Sequence, residues 1–158
     1  MGGRLAGIGR RSRPHGEIEL IDHVHVSRTH GVAQDFRGAL AASKGNYRRQ
    51  VSLIEAESWA EALADLSQAA LHSAEPWWRR RANLLVEGIR LPRAEGTRIR
   101  IGAGCLFEVI TECNPCHRME EVAPGLKAAL TPGWRGGFLL RVLEDGEIAI
   151  GNEVRIEP

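Results

Sequence analysis

The strongest constraint on the fold is the run of short apolar segments that begins after Gly88 and continues to the end of the chain. Residues 98–101, 106–111, 138–143, 147–150 and 153–156 each hold four to six residues rich in Ile, Leu, Val and Phe, and glycine or proline separates most of them. That length suits strands and is too short for helices. Asp145-Gly146, between two of these segments, is a hairpin signal.

The first half adds more of the same. Residues 2–9 alternate glycine with apolar side chains and run into the basic turn Arg10-Arg11-Ser12-Arg13-Pro14. Residues 17–26 read as a strand with Ile18, Leu20, Val24 and Val26 on one face and Ile21, His23 and His25 on the other. The glycine-rich stretch 31–46 reads as a long loop. Residues 51–54 and 82–86 read as short strands. Helical spacing occurs in one clear place, where Trp59, Leu63 and Leu66 recur before Pro76 stops the pattern. Residues 124–130 suit a short helix. Many short strands with few helices predict a mainly β (α+β) fold, a barrel or sandwich with helical excursions, in one domain spanning residues 1–158.

A chain of 158 residues with a net charge of +1 offers no basic arm or acidic tail, so nucleic acid is not an expected partner. No apolar run approaches the ~20 residues that span a bilayer, so no membrane association is expected. Cys105, Cys113 and Cys116 are the three cysteines. An odd count without a signal peptide argues against a disulfide framework and predicts a reducing, cytoplasmic setting. There, close cysteines bind metals or do chemistry more often than they cross-link.

Cys113-x-x-Cys116 is the sharpest motif. It follows a predicted strand, enters a loop through Pro115, and is trailed by His117 and Arg118. Positive charge beside a thiol favours the thiolate, the form that attacks sulfur and ligates soft metals. Residue chemistry leaves the two cysteines on equal terms. A structural zinc site would need two further ligands, which His23 and His25 could supply. A thioredoxin-like reading lacks the surrounding βαβ pattern.

Lys44 and Lys127 are the only lysines among 21 basic residues, so arginine supplies nearly all the positive charge. The arginines cluster at 10, 11 and 13, at 48 and 49, and at 79, 80 and 81, each at a predicted strand end or loop. If the fold gathers them, their planar forks form a pocket for phosphate. Trp77-Trp78 beside the triple arginine suits either a ligand frame or core packing. Gly133-Trp134-Arg135-Gly136-Gly137 permits unusual backbone angles or close backbone approach.

Five segments in order resemble the MOSC family, named for the C-terminal domain of molybdenum cofactor sulfurases. Gly31-Val-Ala-Gln-Asp35 resembles its Gly-Leu-x-Gly-Asp loop, with Gln34 in place of a glycine. Arg49-Gln-Val-Ser-Leu-Ile54 resembles its Arg-Gln-Val-(Ser/Thr)-Leu strand, and Arg81-Ala-Asn83-Leu-Leu-Val-Glu-Gly88 its Arg-x-Asn segment. Pro115-Cys116-His-Arg118 resembles the segment holding its signature cysteine. Residues 136–154 resemble its closing hairpin and Gly-Asp-x-Val end, with Asn152 in place of the acid.

The resemblance implies a barrel-like β fold with a few helices. It singles out Cys116 over Cys113. In that family the signature cysteine ligates molybdenum in a bound molybdenum cofactor (molybdopterin) or carries sulfur as a persulfide, in either case independently of pyridoxal phosphate. The first role implies a reductase of N-hydroxylated compounds, served by a redox partner protein. The second implies a sulfur carrier charged by a cysteine desulfurase, with Cys113 as a candidate resolving thiol. Arg49, Arg81 and Arg118 become candidates to hold the pterin phosphate, and Asn83 to bond the pterin ring or organise its loop. A zinc-stabilised interaction domain is the remaining, non-enzymatic alternative.

Overall fold

A computed structural model of the chain describes residues 2–158. Seven strands close into a mixed barrel: β11 (Glu153–Glu157), β7 (Arg98–Ile101), β8 (Cys105–Glu112), β9 (Phe138–Glu144), β5 (Val51–Glu55), β6 (Leu84–Glu87) and β1 (Gly3–Arg10), with β1 pairing back onto β11. Among the described residues only β5 and β6 run parallel. β2 (Glu19–Leu20) extends the edge of β1. A separate three-stranded sheet joins β10 (Gly146–Ala149), β3 (His23–Ser27) and β4 (Gly31–Val32). Closure leaves the barrel strands without a free edge, which removes a template for aggregation.

Alternation along the strands builds two cores. Val51, Leu53, Leu84, Val86, Phe107 and Phe138 point into the barrel. Ile54 and Leu85, on the opposite faces of β5 and β6, pack against α2 (Ala56–Ala64), α3 (Gln68–Ala74), α4 (His117–Val122) and α5 (Leu126–Leu130). Strands covered on both faces read as continuous apolar runs, as 51–54 does. Trp77 packs against this outer core.

Four local expectations change. The stretch 31–46 is not a loop: it contains β4 and α1 (Phe36–Lys44). Asp35 caps α1 by accepting from the Arg37 N–H, and Gly45 ends it in the left-handed region. Gly38 sits mid-helix because a Cβ there would meet the His30 carbonyl oxygen at 1.8 Å. The strand 17–26 divides into β2 and β3, so Leu20 is exposed while Val24 and Val26 are buried. The helix around Trp59 breaks into α2 and α3. Asp145-Gly146 does not close a hairpin, because β10 leaves β9 and pairs with β3 instead.

Glu55, at the end of β5, is the main buried charge of the outer layer. Its carboxylate accepts from Arg93 at 2.6 and 2.8 Å, from the Leu91 N–H at 2.7 Å and from the Ser58 hydroxyl at 2.8 Å. Burial pushes this carboxyl up, but those hydrogen bonds and the Arg93 charge outweigh burial and hold it below 4.5. The network ties the 88–95 connection to β5, and Arg93 also lies over the Phe138 ring. Glu55→Gln should lower the melting temperature by roughly 10 °C. Removing one partner of a buried pair costs about 3 kcal/mol at the low end of its range, and ~2–4 °C accompanies each kcal/mol at this size. A carboxyl held low stabilises the fold above its unfolded value, and that contribution is lost as pH falls through the lower folded value. The gap between wild type and variant in thermal melts should therefore be full at pH 7 and narrow below pH 4.5. A variant melting within about 2 °C of wild type at pH 7 would contradict this role.

Candidate functional site

The segment leaving β8 carries the CxxC motif across one end of the barrel and into α4. Cys116 is the residue before the first turn of α4 and is exposed. Cys113 is buried, and its N–H donates to the Gly137 carbonyl at 2.8 Å. Arg80 fastens this segment from below. Its guanidinium donates to the carbonyls of Gly136 and Cys113, each at 2.9 Å, and to Cys113 Sγ at 3.4 Å. Gly136 has to be glycine, since a Cβ there would meet the Cys113 carbonyl oxygen at 2.6 Å.

Both cysteines open onto a cavity of about 360 Å³. Its size falls in the range of small-molecule sites. Six arginines line it: Arg11 from the turn after β1, Arg37 from α1, Arg49 before β5, Arg80 and Arg81 before β6, and Arg118 from α4. Among the described residues no carboxylate lines it. One or two members of each sequence cluster converge here (Arg11, Arg49, Arg80 and Arg81), while Arg10, Arg13, Arg48 and Arg79 do not line it; the expected site residues Cys116, Arg49, Arg81 and Arg118 do.

The arginines differ in how far they are committed. Arg80 is buried, and its Nε and one terminal nitrogen are committed to backbone carbonyls. Arg81 donates to the Gly16 carbonyl at 2.7 Å. Arg118 donates to His15 Nε2 at 2.6 Å. A guanidinium has no acceptor, so His15 Nε2 accepts and the ring proton sits on Nδ1. By contrast, the guanidiniums of Arg11, Arg37 and Arg49 make no hydrogen bond or ion pair with any of the described residues, and Arg11 Nε is buried without a partner.

These guanidiniums also repel one another. Burial first, then the Arg81 charge, lowers the pKa of Arg11, with Asp35 opposing and Arg118 adding to the shift. Arg37 is lowered by burial, then by Arg49 and Arg11, with Cys113 opposing. Arg81 is lowered by burial and by Arg118. Arginine stays charged through shifts of this kind, so the cavity holds uncompensated positive charge. Asp35, a carboxylate close to Arg11 and Arg37, is buried and accepts from their backbone N–H groups.

Asn83 does not line the cavity, which departs from a ring-binding role. It is buried; its Oδ1 accepts from the Ser52 N–H at 3.0 Å, and its Nδ2 donates to the Gly9 carbonyl at 3.1 Å. It ties β1, β5 and the start of β6 together behind Ser52, which does face the cavity. His23 and His25 lie on the separate small sheet, where His25 pairs with Glu147, so they do not meet the cysteines. Among the described residues no group of three or more His, Cys, Asp or Glu is placed to hold a metal, so the alternative zinc set of Cys113, Cys116, His23 and His25 is not assembled. Cys105 is packed in the barrel, and burial pushes its thiol up to about 12. Trp78 lies outside the cavity.

Arg37 and His15 were not anticipated. Arg37 stands alone in sequence, inside a stretch that reads as loop, and nothing in its neighbourhood marks it. The two departures from the MOSC pattern have local explanations. Gln34 adopts a left-handed backbone (φ 64°), the conformation glycine adopts without strain. Asn152 Oδ1 accepts from the Ala149 N–H at 2.8 Å, so an amide oxygen caps the last turn.

A family model of the MOSC domain matches residues 27–155. Several solved structures share the fold. The YuaD protein of Bacillus subtilis superposes with a TM-score of 0.78 at 20% identity, covering 99% of this chain and 96% of that one. YiiM of Escherichia coli gives 0.68 at 14% identity, covering 98% and 70%. YiiM of Geobacillus stearothermophilus gives 0.60 at 15% identity, covering 99% and 73%. A search of curated proteins finds no significant match. Among the described residues no helix is long and apolar enough to cross a membrane.

Proposed function

The chain belongs to the MOSC domain family, and on that premise we propose that it binds the molybdenum cofactor and reduces N-hydroxylated compounds, with Cys116 as the molybdenum ligand. One observation carries this reading: an exposed thiol opens on a cavity lined by six arginines and no acid. The donor set fits the group. A thiolate suits a soft metal, and arginine forks suit a phosphate. The buried, unpartnered Arg11 Nε is a donor that lacks an acceptor.

In this assignment Arg11, Arg37 and Arg49 grip the phosphate of the pterin. Arg81 and Arg118 also line the cavity, each anchored by its own hydrogen bond. Arg80 is a positioning residue that holds the cysteine segment in place. The bound metal would supply two-electron transfer. Converting N–OH to N–H consumes two electrons and two protons and releases water, so a proton source at the cavity is needed. The exposed Cys116 end of the cavity is open to solvent, which can supply those protons.

The reading is tested by reduction of benzamidoxime to benzamidine with a chemical electron donor, using protein purified from cells that make the cofactor. Turnover by the wild-type chain is expected. The exposure of Cys116 also suits a second reading, a sulfur carrier that presents its thiol to a desulfurase. In that case the protein would show no turnover. Its intact mass would instead rise by one sulfur after incubation with a desulfurase and cysteine, and Cys116→Ala would remove the gain.

A further inference from the structure

Beside the cysteine cavity lies a second hollow of about 250 Å³ along α1. The two share Arg11, Phe36, Arg37 and Arg49 in their walls. Beyond the shared wall, the second hollow gains an apolar floor from Leu40 and Ala41 and a cation from Lys44. Phe36, Leu40 and Lys44 recur at four-residue steps on one helix face, so apolar surface passes directly into positive charge. Leu40 is 40% exposed, although it is a large aliphatic side chain. Among the described residues no carboxylate lines this hollow either.

The charge count exceeds what one phosphate needs. The three shared guanidiniums have no partner among the described residues, and Lys44 adds a fourth cation. One phosphate is commonly gripped by two arginine forks. A neutral ligand in this hollow would strip water from cations without compensating them, which is costly. A purely hydrophilic anion would leave Phe36, Leu40 and Ala41 uncovered.

We propose that the second hollow is the substrate-recognition site and selects small amphipathic anions. The apolar ring or chain lies on Phe36, Leu40 and Ala41. The carboxylate or phosphate is held by Lys44, with Arg49 in the shared wall bridging it and the pterin phosphate. The reacting end passes the shared wall toward Cys116. The role as substrate site rests on the reductase reading; the binding preference does not.

The test titrates the purified chain with 1-naphthyl phosphate, 1-naphthoate, 1-naphthol and inorganic phosphate by calorimetry. At least one naphthyl anion should bind about tenfold or more tighter than both naphthol and inorganic phosphate, and the tighter of the two identifies the preferred anion. Leu40→Asn and Lys44→Gln should each weaken that anion about tenfold while leaving the melting temperature within about 2 °C. Equal affinity for naphthol and both anions, or variants that bind as tightly as wild type, would overturn the proposal. Because the titration needs no metal, its outcome is separate from that of the reductase reading. Failure to load molybdenum with the binding pattern intact would remove only the reductase reading. Normal loading without the binding pattern would remove only the second site.

Discussion

Cys116→Ser should reduce turnover of an N-hydroxylated substrate by at least roughly 1000-fold, while Cys113→Ser and Cys105→Ser stay within about tenfold of wild type. Loss of a residue that merely orients a metal ligand typically costs about 10–100-fold, and loss of the ligand atom should cost more. Serine offers a hard oxygen where a soft metal favours sulfur. The three cysteines separate by environment. Cys105 lies inside the barrel with its thiol pushed up to about 12. Cys113 is buried and accepts from Arg80 at 3.4 Å. Cys116 alone is exposed, at the start of α4. Loss of turnover in Cys113→Ser with retention in Cys116→Ser would transfer the working role to the other thiol.

Arg37→Glu should weaken binding of inorganic pyrophosphate about 100-fold, whereas Arg141→Glu, exposed on β9, should leave it nearly unchanged. A hydrogen bond to a charged group contributes ~1.5–3 kcal/mol, and tenfold in affinity corresponds to ~1.4 kcal/mol. The reversal also adds repulsion toward the ligand. In addition it gives Arg11 and Arg49 an internal partner, so they compete less well for the anion. The variant is expected to fold, because the Arg37 guanidinium makes no hydrogen bond and reversal relieves like-charge crowding. Calorimetry would measure both affinities. Equal weakening by the two reversals would mean that binding follows net charge and not this cavity.

Most barrel strands were legible because each carries a short apolar run next to a glycine or proline; β5, between Gln50 and Ala56, was legible by its apolar run alone. Their partners were not. Asp145-Gly146 has hairpin chemistry, yet β10 pairs with β3, more than a hundred residues earlier. Local pattern carries no information about a partner at that distance. α1 was hidden because Gly31, Gly38 and Gly45 together resemble a loop. Gly38 in fact permits close packing on His30, and Gly45 is the helix cap. This one misreading also hid Arg37 and the whole second hollow. The arginine clusters were visible in the sequence, but their convergence depends on how the turn after β1 and the segments before β5 and β6 meet at one end of the barrel. Asn83 illustrates the opposite case: its segment matched the family pattern, and its side chain proved to be a buried brace for the wall.

The central claim is that Cys116 and the arginine cavity hold a molybdenum-bearing pterin. It is tested most directly by the metal and pterin content of the chain purified from cells competent to make the cofactor. The account predicts molybdenum and an oxidised, fluorescent pterin in near one-to-one ratio with wild-type protein, with molybdenum lost in Cys116→Ser. Well-folded wild-type protein that carries neither, or a Cys116→Ser variant that retains molybdenum fully, would contradict it.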